Sequence, residues 1–229
     1  MKRHISLAVG SLALALAAPA QAFVLTQSSV VDFSWSGAGG GSVLSGNGRI
    51  VTAVLSPAFE SLRLNVTLEN TSADARLTAW GFGIEPDAVS VLLLDTGDNT
   101  GMRWAETGAF PGIATIEVCA FGSSSTGDMR CGASDVGILG GQTDFFTLNI
   151  EGPFGTSVSL SPFGFRYQTS AGSFNFACDT SGSAGQLQCG SAPPSGTVGE
   201  PGVLALLAAV GFAGTVGRRL RSKARKPHA

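Results

Sequence analysis

The chain has 229 residues, 44% of them hydrophobic and only 13% charged, and its formal net charge of −2 hides an uneven distribution. Between Phe23 and Gly199, six arginines face fifteen carboxylates, a net charge of −9, with no lysine and no histidine. A domain of that sign repels phosphate backbones, so no nucleic-acid partner is expected, and the missing residue types exclude His-based triads, His-ligated zinc and Schiff-base lysines within it.

Residues 1–22 are laid out as a secretory signal peptide. Lys2, Arg3 and His4 form a positive start, and Ile5 to Ala18 an apolar run. Ala20-Gln21-Ala22 is a small-x-small cleavage site, so the exported chain is expected to begin at Phe23. Residues 23–189 then suffice for one domain with its own core. In Ser29 to Ser36, Val31, Phe33 and Trp35 share one face of a strand while Asp32 and Ser34 share the other. Gly37 to Gly41 reads as a flexible connection, and Ser45-Gly46-Asn47-Gly48 as a turn into a strand from Arg49 to Leu55. Ser61 to Asn70 alternates most cleanly, with Leu62, Leu64, Val66 and Leu68 against Arg63, Asn65, Thr67 and Glu69. Leu77 to Ile84, Val89 to Leu94, Ile113 to Phe121, Phe145 to Ile150, Val158 to Leu160, Phe163 to Gln168 and Ser173 to Ala177 complete the set. Such a run of short strands, with no helix between the two chain ends, predicts an all-β antiparallel β-sandwich of jelly-roll-like type. From Thr180 onward Ser, Gly and Pro take over, and residues 190–199 read as a spacer.

Four cysteines, Cys119, Cys131, Cys178 and Cys189, lie in the exported part, where an oxidising compartment favours disulfides. Three pairings are open to four cysteines. Each of the two local ones, Cys119–Cys131 and Cys178–Cys189, would clamp a loop that follows a strand, and this pairing is expected. The sharp alternative is a metal held by four thiolates, against which stands the lack of any C-x-x-C spacing.

Candidate chemistry in the domain is sparse. Val91-Leu92-Leu93-Leu94-Asp95-Thr96-Gly97 is similar to the active-site loop of aspartic proteases, and Ile138-Leu139-Gly140 to its supporting segment. That chemistry needs two aspartates sharing a proton, and one Asp-Thr-Gly supplies only one per chain. Asp95, Asp98, Asn99 and Glu106 offer oxygen ligands for an irregular calcium site. An EF-hand is ruled out, because Gly97 stands third where an oxygen ligand belongs and Thr100 sixth where glycine makes the turn. The competing reading of these residues is a solvated turn, and no cofactor and no catalytic residue are assigned. Trp35 and Trp80 are in phase with apolar neighbours and are expected in the core, whereas Trp104, beside Arg103, is uncommitted. Asn65-Val66-Thr67 and Asn70-Thr71-Ser72 match glycosylation sequons and are read as strand and turn residues.

The chain closes with Val198-Gly199-Glu200-Pro201, an uncharged run from Val203 to Gly217, and six basic residues that begin with Arg218, Arg219 and Arg221. Pro201 suits a first helical turn and Glu200 complements the helix dipole. Fifteen residues make roughly 22 Å of helix, short for a hydrocarbon core of about 30 Å but workable with snorkelling arginines. The basic cluster is a stop-transfer signal that stays in the cytoplasm and leaves everything upstream outside.

This order of short motif, apolar helix and Arg-rich end resembles the PEP-CTERM sorting tail. Glu200 and Pro201 match the family's usual Val-Pro-Glu-Pro, and Gly199 departs from it. The resemblance covers about thirty residues of the chain and implies export in a Gram-negative bacterium, anchoring in the inner membrane, and processing by an exosortase-like enzyme often encoded beside exopolysaccharide genes. Phe110-Pro111-Gly112, Val118-Cys119-Ala120-Phe121, Cys131-Gly132 and Phe163-Gly164-Phe165-Arg166-Tyr167-Gln168-Thr169 are similar to the cistern subgroup of that family, which implies no known activity. The expectation is a non-enzymatic structural or adhesive protein of the cell surface or extracellular matrix, partnered by exopolysaccharide. A carbohydrate-binding module is the alternative, and a hydrolase using paired carboxylates the third reading.

Overall fold

The computed structural model describes residues 22–95, 101–108, 110–123, 130–133, 136–180 and 185–190. Ala20, the sorting motif Val198–Pro201, the apolar run 203–217, the basic cluster at Arg218, Arg219 and Arg221, and Asp98 and Asn99 lie outside the described residues. Among the described residues no helix is long and apolar enough to cross a membrane.

Two antiparallel sheets pack face to face. The five-stranded sheet has the order β2-β3-β4-β9-β6, formed by Val30–Gly39, Ser42–Ser56, Ser61–Asn70, Thr143–Glu151 and Ser90–Asp95. The second follows the order β12-β11-β10-β5-β8-β7, with β1 also on β10. Its strands are Leu187–Cys189, Gly172–Thr180, Val158–Thr169, Arg76–Glu85, Val118–Phe121, Trp104–Thr107 and, for β1, Phe23–Leu25. This is the two-sheet sandwich that the alternation predicts. β4 begins and ends where its pattern says, with Leu62, Leu64, Val66 and Leu68 buried and Arg63 and Asn65 exposed.

Aromatic rings fill the space between the sheets. Trp35 stacks on Phe165 with centroids 4.2 Å apart, and Trp80 lies 5.1 Å from Phe82 and 6.2 Å from Phe146. Each such ring, fully buried, contributes roughly 1.5–3 kcal/mol by leaving water. The Trp35 indole N–H donates to the Tyr167 hydroxyl at 3.0 Å, and that hydroxyl donates to the Ser45 carbonyl at 2.9 Å, so both polar tips are satisfied inside the core.

Several local expectations are corrected. Ser45 to Gly48 is not a turn, because β3 runs straight through it. The hairpin lies at Gly40 and Gly41, both at positive φ (62° and 81°). Gly46 and Gly48 serve instead as clearance under neighbouring rings. A Cβ on Gly46 would fall 2.2 Å from Trp35 Cζ2, and one on Gly48 the same distance from Phe33 Cζ. The two stretches around Ser161-Pro162 are one strand with a register shift between Leu160 and Phe163. Only Val118–Phe121 of the Ile113–Phe121 expectation is strand. Phe110 and Ile116 fold back over the outer face of the second sheet, where a Cβ on Gly164 would meet Ile116 Cδ1 at 2.2 Å. They form a small second core with Ala79, Cys119, Phe121 and Cys131. Residues 187–189, the end of the expected domain, return as β12 beside β11.

Candidate functional site: the outer face of the five-stranded sheet

Both expected disulfides are formed, Cys119–Cys131 and Cys178–Cys189, and no described cysteine is free. Two disulfides agree with a protein that folds outside the cytoplasm. The thiolate-metal alternative falls with them, since disulfide sulfurs are not thiolate ligands.

Of the four calcium candidates, Asp98 and Asn99 lie outside the described residues. Glu106 sits in β7, where its carboxylate accepts the Cys131 backbone N–H at 2.6 Å and so braces the first disulfide. Asp95 closes β6 opposite Phe146. Among the described residues no group of three or more metal-ligating side chains is assembled. Asp144, not singled out in the sequence, is buried and accepts the Met102 N–H at 2.7 Å, which fastens the chain entering β7. Ile138 of the protease-like support segment pairs with Leu77 in an isolated bridge. Phe23, the expected first residue of the exported chain, pairs with Leu160 and packs its ring 5.5 Å from that of Phe163.

Trp35 and Trp80 are core residues, and Trp104 is half-buried against the second core. None of the three offers a stacking platform to a ligand. Asn70 is likewise buried. Its amide donates to the carbonyls of Ala75 and Ile138 at 2.7 and 2.9 Å, and its Oδ1 accepts the Ser72 N–H.

The open surface is the outward face of the five-stranded sheet. Period two on β4 and β9 sets Arg63, Asn65, Thr67 and Glu69 beside Thr143, Phe145, Thr147 and Asn149 there. The strand register assembles these into cross-strand rows. One row runs Asp32, Arg49, Thr67, Phe145, and the next Ser34, Asn47, Glu69, Thr143. All of these except Ser34 line an open groove of about 310 Å³. Phe145 closes one end with a ring residue that is 56% exposed.

The polar groups of the groove are held in place. Arg49 grips Asp32 through two hydrogen bonds, Nε to Oδ1 at 2.6 Å and Nη2 to Oδ2 at 3.0 Å. Asn47 donates to Glu69 at 2.8 Å. The hydrogen bond from Arg49 holds the Asp32 carboxyl below the usual carboxylate range. Both partners are well exposed, so the pair adds little stability and chiefly fixes orientation. Farther along the face Arg63 donates to Asn149 at 2.8 Å and Thr147 to Asn65 at 3.0 Å. The arrangement is an open array of preset donors and acceptors beside one exposed aromatic ring. Compared with protein-family models, with curated proteins and with solved structures, the chain shows no match, so its own geometry carries the functional reading.

Proposed function

We propose that this chain is an exported structural or adhesive protein of the cell surface or extracellular matrix, a jelly-roll-like sandwich that works within an exopolysaccharide layer. In this reading the signal peptide is removed before Phe23, and the apolar run 203–217 holds the chain in the inner membrane with Arg218, Arg219 and Arg221 in the cytoplasm. An exosortase-like enzyme then acts at Val198-Gly199-Glu200-Pro201. The observation that carries the reading is the open groove on the outer face of the five-stranded sheet, lined by polar side chains and Phe145, on a sandwich clamped by two disulfides. The chain's repeated crossing between sheets supports the jelly-roll-like description.

We assign the chain no catalytic role. The reading is tested by fractionating cells of the native host. The chain is expected in the extracellular polysaccharide fraction and to be set free when that polymer is digested enzymatically. Recovery from the cytoplasm, or from a surface fraction indifferent to removal of the polymer, contradicts it.

A further inference from the structure

Three features of the groove, taken together, define a ligand class. First, Phe145 presents an exposed ring at one end of a row of short polar side chains, an apolar platform beside hydrogen-bonding groups. The C–H face of a sugar ring needs the first and its hydroxyls need the second. Second, the hydrogen-bonding groups are planar and preset. The carboxylates of Asp32 and Glu69 and the guanidinium and amide that hold them lose little freedom when a ligand arrives. Third, the charge is wrong for an anion. Asp32 and Glu69 outweigh Arg49, whose guanidinium is already held by Asp32 at two points. The next cation on this face, Arg63, donates to Asn149, and the exported domain as a whole carries −9.

A groove that is open rather than enclosed also suits a polymer lying across the strands better than a small molecule, which is ordinarily buried over most of its surface. Three strand intervals separate β2 from β9, about 14 Å across the sheet. We propose that this face is a binding site for a neutral polysaccharide, with a pyranose ring stacked on Phe145 and its hydroxyls bonded to the Asp32–Arg49 and Asn47–Glu69 pairs.

The proposal rests on the surface reading above and refines it, and the two fail separately. The full chain, extracted in mild detergent, is run in native gels cast with galactomannan, with xyloglucan, or with polygalacturonate as the acidic counterpart. Retardation is expected in at least one neutral gel and not in the acidic one. Phe145→Ala should weaken it at least about tenfold, and Phe145→Trp should retain it. Asp32→Ala and Arg49→Ala should each weaken it as well. Phe145 is exposed, so its truncation leaves the core intact, and unchanged tyrosine absorbance in alkali verifies this for each variant. Retardation by the acidic polymer alone, retardation unaffected by Phe145→Ala, or no retardation in any gel overturns the proposal while the chain can still be a matrix protein. A Phe145→Ala effect on self-association by sedimentation, without one on glycan retardation, assigns the face to a second copy and overturns it too. Neutral-glycan binding by a chain never found outside the cell leaves the site standing and removes the surface reading.

Discussion

Tyr167 is the only tyrosine in the chain, and its hydroxyl lies between the Trp35 indole and the Ser45 carbonyl. Burial pushes its pKa from the ordinary value of 10.0 up to about 12, against the opposing effect of its hydrogen bonds with Trp35 and Ser72. The folded state therefore holds the phenolic proton more tightly than the unfolded state does. This contribution is complete below pH 10 and is lost as the pH rises toward 12, about 2–3 kcal/mol in all. Tyrosinate absorbance of the native protein should rise with a midpoint near 12 and fall back to about 10 once the chain is denatured. Tyr167→Phe removes that signal and leaves the Trp35 N–H buried without its acceptor, which costs about 1–3 kcal/mol in denaturant unfolding. Gly48 makes the complementary case. Gly48→Ala places a methyl group where the Phe33 ring lies, and the overpacking should cost about 2–3 kcal/mol.

Elements with one wet and one buried face were legible in the sequence, because alternation marks both their existence and their phase. β4, β9 and β11 are of this kind. β1, β7 and β12 were not, since three or four residues cannot show a period. The turn expected at Ser45 to Gly48 failed for a definite reason. Glycine in a strand and glycine in a turn look alike until register brings Trp35 and Phe33 over Gly46 and Gly48. The ring residue at the end of the groove did carry a signal. Phe145 is in phase with Thr147 and Asn149, opposite to Phe146, Leu148 and Ile150, and that phase alone turns its ring outward. What joins Phe145 to Asp32 and Arg49 is the order β2-β3-β4-β9, which one sequence does not reveal. At the same scale, Cys178 and Cys189 face each other across β11 and β12. Replacing both with alanine should lower stability by about 3 kcal/mol in the chain-entropy model, read as an earlier denaturant midpoint under non-reducing conditions.

Across the whole molecule the two sheets have unlike exteriors. The outer face of the second sheet is covered by its own loops, where Phe110 and Ile116 lie over Gly81 and Gly164 and Glu106 braces the Cys119–Cys131 bridge. The outer face of the five-stranded sheet is left open, with its charges paired in place. β12 reaches β2 through Ser34 and Gln186 and helps to close one side of the sandwich. An acidic exterior keeps such a domain soluble and apart from anionic polymers, in accord with a protein that meets a neutral matrix through one face.

Export from the cytoplasm and processing at both ends underlie everything proposed for this chain, and intact mass of the native protein, taken from released or outer-surface material without reductant, tests them most directly. The expected species begins at Phe23, ends near Glu200-Pro201, and becomes about 4 Da heavier on reduction as two disulfides take up two hydrogens each. A species that still ends at Ala229 in the inner membrane, or one whose mass does not change on reduction, contradicts this expectation.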